Sequence, residues 1–257
     1  MNLSLAQMHL HLGQPEKNFE RVSAWTAEAA RRGSALVVFP ELWGSAYDLE
    51  HWPQHASALD EGWFARVSAL ARECNIAIVG SLLEAKDGRA YNTLTWHAAT
   101  GVRLALYRKV HLVPMLDEPQ WLAAGSELAL TDTAWGKAGL GICYDLRFPE
   151  MWRRYALTGA RLAILPAEWP SKRLAHWQTL LRARAIENQM FVLACNRVGE
   201  SKGDVFGGGS AVIDPWGEAV VEGGDQEVLL TTEIDLSRVD DIRARIPVFK
   251  DRRADLY

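Results

Sequence analysis

A chain of 257 residues, about half of them apolar, is long enough for one large α/β domain with a sizeable core. Its net charge of −4 leaves no basic footprint for nucleic acid, and no apolar run is long enough to span a membrane. The three cysteines, Cys74, Cys143 and Cys195, are widely spaced without a metal-ligand pattern, which argues against a disulfide framework or zinc site and fits a reducing cytoplasm.

Residues 1–7 have neither the basic start nor the apolar centre of a secretion signal, so the chain is expected to begin inside the fold. Residues 3–9 alternate as a strand. Residues 15–32 carry Phe19, Val22, Trp25 and Ala29 at helical spacing, with Gly33 as the stop. Residues 35–39 are a continuous apolar run, as in a strand covered on both faces; Pro40 ends it and Glu41 follows at once. Residues 42–60 lack periodicity and are expected to form a long rim loop. Residues 62–73 read as a helix and 76–82 as a strand, then 91–98 and 102–107 as a hairpin around Thr100-Gly101. The segment 108–112 leads into irregular chain through Gly125, and 128–133 with 138–143 form another hairpin. Helix 149–158, strand 161–166, loop 167–170, helix 171–189 and strand 190–196 follow. Gly207-Gly208-Gly209 opens strand 210–213, residues 214–217 turn, and 228–234 is the last strand before a helix over 236–245. With no composition break, the expected class is α/β: one domain over residues 1–257, ending in a tail at 247–257, with mixed sheets packed together and helices outside.

The rest is organised around Gly139-Leu140-Gly141-Ile142-Cys143-Tyr144-Asp145-Leu146-Arg147-Phe148-Pro149-Glu150. The glycines allow another backbone to come close, and Pro149 and Glu150 suit a first helical turn. Cys143 thus stands where a strand gives way to a helix, the rim at which open α/β sheets bind ligands. A helix N-terminus there lowers a thiol's pKa. Glu41 and Lys109 also follow strands. Singly, Cys143 reads more commonly as a buried structural cysteine, Glu41 as a solvated carboxylate and Lys109 as an exposed basic turn. Cys74 and Cys195 flank apolar strands and read as small core hydrophobes.

Taken together, Phe39-Pro40-Glu41, Tyr107-Arg108-Lys109-Val110-His111-Leu112 and the segment 141–150 resemble, in order and spacing, the three signature segments of the nitrilase superfamily of carbon–nitrogen hydrolases. His176-Trp177-Gln178, the run 182–189 and Asp214-Pro215-Trp216-Gly217 are also similar to family segments. Ile234-Asp235-Leu236, Ile246-Pro247 and the run 252–257 look closest to the omega-amidase branch. The likeness covers nearly the whole chain. It implies a four-layer α-β-β-α sandwich with two mixed β-sheets, a Glu41–Lys109–Cys143 triad, and Glu118, seven positions before Gly125, as a second active-site glutamate, with Glu127 and Asp117 as nearby competitors for that place. It also implies a homodimer, a small-molecule amide substrate and no need for a metal or organic cofactor. The reaction implied is thiol amidohydrolysis of dicarboxylic monoamides such as 2-oxoglutaramate or 2-oxosuccinamate. N-carbamoyl compounds, nitriles or deaminated glutathione are the alternative substrates, and a non-catalytic binding scaffold is the alternative role.

In that chemistry Cys143 attacks the amide carbon, Glu41 takes its proton and returns it to ammonia, and Lys109 and the backbone N–H of Tyr144 hold the oxyanion. Unperturbed Glu and Cys differ by roughly 4 pKa units, a gap the site has to narrow, with Lys109 favouring the thiolate. Arg147 and Arg173 are candidates for a distal carboxylate, each readable also as a structural salt-bridge partner. Tyr47, Trp169 and Tyr257 are candidate pocket walls. Glu168 is a departure: facing the pocket, it would repel a distal carboxylate. Seven histidines leave a Cys–His hydrolase as a competing reading, although His55, His111 and His176 read better as shell or surface residues.

Overall fold

The alternation of apolar residues in the opening strands sorts them onto two different layers in a computed structural model that describes residues 1–256. The first half of the chain gives β1 (Asn2–Gln7), α1 (Pro15–Arg31), β2 (Leu36–Val38), α2 (Trp52–His55), α3 (Gly62–Cys74), β3 (Ala77–Lys86), β4 (Arg89–His97), β5 (Arg103–Arg108) and α4 (Glu118–Trp121). The second half gives β6 (Ala129–Thr133), β7 (Gly136–Leu140), α5 (Pro149–Leu157), β8 (Ala160–Ala167), α6 (Leu174–Asn188), β9 (Phe191–Asn196) and β10 (Val198–Ser201). It closes with β11 (Asp204–Gly207), β12 (Ala211–Ile213), β13 (Ala219–Glu222), β14 (Val228–Glu233) and α7 (Ser237–Arg245).

One six-stranded sheet has the order β14-β1-β2-β3-β4-β5 and the other β13-β12-β9-β8-β7-β6. Each has a parallel centre and antiparallel flanks. Because strand side chains alternate, Leu3, Leu5, Leu36, Val38 and Val79 face the second sheet, while Ala6, Val37 and Ile78 meet Val22, Phe64 and Val67 of α1 and α3. On the far side, α5 and α6 cover the second sheet with Trp152, Tyr155, Trp177 and Leu181. The result is the α-β-β-α sandwich. The buried amide of Gln7 ties the two sides: its Nε2 donates to Gly224 O at 2.8 Å and Gln226 O at 2.7 Å, and its Oε1 accepts Ser210 N–H at 2.9 Å.

Several boundaries differ from expectation. β3 runs on to Lys86 and turns at Asp87-Gly88, both at positive φ, directly into β4; Asp-Gly is a favoured two-residue hairpin turn. A second tight hairpin, β10–β11, turns at Lys202-Gly203, also at positive φ. The rim loop contains α2. Gly139 and Gly141 make room for rings rather than for backbone: a Cβ there would lie 2.4 Å from Tyr155 and 2.6 Å from Trp152 of α5.

Candidate active site

The chain beyond the C-terminal ends of β2, β5 and β7 and the first residue of α4 come together. Lys109 Nζ lies 2.7 Å from Glu41 Oε1 and 2.7 Å from Glu118 Oε1, and all three side chains have 0% exposure. Asn92 of β4 donates to Glu41 Oε1 at 2.8 Å, and the backbone N–H of Glu168 donates to Glu41 Oε2 at 2.9 Å. Glu118 Oε2 accepts Val113 N–H at 2.7 Å. The Tyr47 hydroxyl sits 2.8 Å from Glu41 Oε1 and 2.5 Å from Glu118 Oε1. A phenol has one proton to give, so the second approach calls for a proton on a carboxyl. Glu118 is suited to carry it: burial raises its pKa, and the Glu41 charge adds to that against the pull of Lys109. Burial works against the Lys109 ammonium, but the Glu41 carboxylate and the hydrogen bonds of Nζ to Glu41 and Glu118 outweigh it and keep the charge in place.

Cys143 opens a 3-10 turn over Cys143–Arg147 and has φ +46°, a left-handed conformation that costs a non-glycine residue about 1–3 kcal/mol. Asp145 holds that turn. Its Oδ2 accepts Ile142 N–H at 2.8 Å and the Tyr107 hydroxyl at 2.7 Å, and its Oδ1 lies 2.7 Å from His111 Nδ1. His111 also stacks on Phe148 at 3.6 Å, so its ring braces the turn. Tyr144 is the second residue of the turn, a position at which a helical N–H has no partner within the helix. α5 begins only at Pro149, so no long helix dipole acts on the sulfur. The expected depression of the thiol pKa is accordingly reversed: burial, then the Glu41 charge, hold it well above the ordinary cysteine value, with Lys109 pulling the other way.

Cys143 opens onto a cavity of about 250 Å³ lined also by Tyr144, Arg147, Trp169 and Arg173. The Arg147 guanidinium lies 4.6 Å over the Trp169 ring. Neither Arg147 nor Arg173 forms an ion pair among the described residues, unlike Arg108, Arg184 and Arg197. Tyr47 lines the neighbouring cavity of about 380 Å³ instead, and Tyr257 lies outside the described residues. Glu168 lines both cavities, yet its charge is countered: Oε2 lies 2.6 Å from Arg197 Nη1, with both residues buried. Burial pushes the Glu168 carboxyl up to about 7 even so. Metal-type donors gather at Asp48, Glu50 and His51, but Asp48 already pairs with His51 and His55.

The model for the carbon-nitrogen hydrolase family matches residues 2–244. The chain belongs to that family. This carbon–nitrogen hydrolase is 38% identical to the 2-oxoglutaramate amidase of Bacillus subtilis, covering 99% of this chain and 98% of the relative. It is 34% identical to the omega-amidase NIT2 of Homo sapiens, over 93% of this chain and 91% of that one. Among solved structures it is similar to XC1258 of Xanthomonas campestris, a CN-hydrolase superfamily protein with an arsenic adduct in its active site. That likeness has a TM-score of 0.92 and 33% identity, and covers 99% of this chain and 97% of the other.

Sequence reasoning on this hydrolase left out the residues that aim the site. Asn92 was hidden inside a strand pattern, and Arg197 behind the apolar run of β9. Asn196, at the end of β9, clamps Trp169 through N–H to Oδ1 at 2.7 Å and Nδ2 to O at 3.1 Å. The available signal was a polar side chain where a buried strand should be apolar. No helix of the described residues is long and apolar enough to cross a membrane.

Proposed function

We propose that this hydrolase is an omega-amidase, removing ammonia from short dicarboxylic monoamides such as 2-oxoglutaramate. The observation that carries the reading is that Cys143 shares its cavity with Arg147 and Arg173, which form no ion pair among the described residues, while Glu41, Lys109 and Glu118 stand buried behind it. The guanidiniums take the distal carboxylate, Trp169 packs on the acyl chain, and the opposite end of the substrate lies on Cys143. The thiol proton passes to Glu41 as Sγ bonds to the amide carbon. This transfer leaves the net charge of the buried cluster unchanged, so no new charge has to be desolvated. Lys109 and the Tyr144 N–H hold the oxyanion, an interaction worth roughly 3–4 kcal/mol per donor in comparable sites. Glu41 returns the proton to nitrogen, ammonia leaves, and Glu41 then activates the water that cleaves the thioester. Glu118 and Tyr47 position Lys109 and that water.

In this reading the whole chain is one catalytic domain with a tail at 247–257. It works as a homodimer in the cytoplasm, where its three thiols stay reduced. Ammonia release from 2-oxoglutaramate, with Cys143→Ala as the blank, tests the reaction. Rapid release that vanishes in the variant is expected. Absence of release with Cys143 still selectively alkylated would reject the substrate and keep the nucleophile. Light scattering giving the mass of a single chain would remove the dimer.

A further inference from the structure

Two neighbouring cavities share part of their lining beside Cys143. The Cys143 cavity, about 250 Å³, suits a short acyl chain, being smaller than the ~300–1,000 Å³ typical of sites for larger ligands. The second cavity, about 380 Å³, shares Met115, Leu116, Glu168 and Pro170 with it but is walled by Tyr47 in place of Cys143. Tyr47 touches Glu41 Oε1 and the Glu168 N–H touches Glu41 Oε2, so this second space adjoins the base. Glu41 hands its proton to the departing nitrogen, and whatever that nitrogen carries is directed to the base's side. A primary amide carries only hydrogen and leaves the space unused. A second observation bears on what fills it. Glu168 is 1% exposed, Arg197 takes its Oε2, and its Oε1 has no hydrogen-bond partner among the described residues. A buried acceptor left unmet is costly, and Glu168 is one of the residues that line both cavities.

We infer that the second cavity is a leaving-group subsite, and that the hydrolase also cleaves secondary amides of short dicarboxylic acids whose amine part brings a hydroxyl or ammonium donor to Glu168 Oε1. Sγ of Cys143 bonds to the carbonyl carbon. The thiol proton travels through Glu41 to the amide nitrogen, and the C–N bond breaks with its electron pair going to nitrogen. The free amine departs through the second cavity; water then cleaves the thioester to the acid and restores the thiol. No other reactant is required. The inference rests on the acyl-enzyme reading above.

The test compares succinamate, N-(2-hydroxyethyl)succinamate and N-propylsuccinamate, following ammonia, ethanolamine and propylamine. The two secondary amides differ in one terminal group, hydroxyl against methyl. Ethanolamine release with kcat/KM at least about tenfold above that of propylamine is expected, since a site built for a donor discriminates against its absence. Glu168→Gln, which keeps an acceptor for Arg197 and offers the space an N–H instead, brings that ratio toward one. Ammonia from succinamate with neither amine released would overturn the subsite and leave the amidase reading standing. Equal rates for the two secondary amides would also overturn the inference. No product from any of the three would overturn the subsite and, with Cys143 still selectively alkylated, reject succinic monoamides as substrates while keeping the nucleophile.

Discussion

Cys143 and Cys195 are both buried, at 4% and 0% exposure, and burial raises the pKa of both thiols. Their surroundings part company there. Cys195 lies in β9, and what touches its sulfur is neutral: the Ala6 backbone and the Ser210 side chain. Cys143 sits on a strained turn facing the charges of Glu41 and Lys109 from the other sheet. Neither thiol is a ready thiolate at rest. In the proposed mechanism, reactivity at Cys143 therefore comes from a proton acceptor and a cation held in place for the moment of attack, not from a depressed resting pKa. The sandwich makes this possible because the two sheets bring their strand ends to one place. One supplies the Cys143 turn and the other the Glu41–Lys109 cluster.

The largest effect expected from breaking this contrast is on turnover. Cys143→Ala should reduce ammonia release to background, a loss of at least about a thousandfold. Cys195→Ala should keep activity within about twofold and cost about 1 kcal/mol of stability, the scale of a small core truncation. A coupled ammonia assay and thermal melts on both variants check this. Loss of activity in folded Cys195→Ala would mean that the two thiols are not separable as argued.

This contrast was only partly legible in the sequence. The α/β class and the major strands followed from apolar runs and alternation, and Glu41, Lys109, Glu118 and Cys143 followed from ordered motifs. Those motifs could not reveal what holds the groups. Asn92 and Asp145 act through hydrogen bonds between segments distant in the chain: Asn92 with Glu41, and Asp145 with Tyr107 and His111. Short hairpins such as β10–β11 went unread because four-residue strands carry little periodicity; the Lys202-Gly203 turn was the stronger cue. The direction of the Cys143 shift was misjudged because local position suggested a helix end, whereas burial and a carboxylate from the opposite sheet set the balance.

A next, smaller effect separates the acceptor from the cation. Glu41→Gln removes the group that takes the thiol proton while leaving Lys109 beside Glu118. Activity should fall by roughly 10²–10⁴-fold, the usual contribution of a positioned base. In the native protein at pH 7, iodoacetamide should modify Cys143 ahead of Cys74 and Cys195, and that preference should disappear in Glu41→Gln. Mass spectrometry of the alkylated peptides reads both. Selective alkylation persisting in the variant would show that Lys109 alone activates the sulfur.

The smallest effect concerns Glu168, a carboxyl that combines features of both thiols: buried as fully as Cys195, with a cation beside it as at Cys143. Burial raises it from 4.5 to about 7, against the pull of Arg197. Between those values the native state holds a proton that the unfolded chain has released, so stability falls as pH rises from about 4.5 to about 7. Above that window this group adds no further slope. The full change is on the order of 3–3.5 kcal/mol at most. Glu118, raised in the same direction, adds a slope of the same sign, so the wild-type curve alone does not isolate Glu168. The difference between wild type and Glu168→Gln does, because only the Glu168 contribution is removed. Urea unfolding of both at pH 5 and pH 7.5 should show wild type losing more stability than the variant over that interval. A difference that stays constant with pH would mean that Arg197 offsets burial in full. The lone cation would then do for a carboxylate what Lys109 does not do for the resting Cys143 thiol.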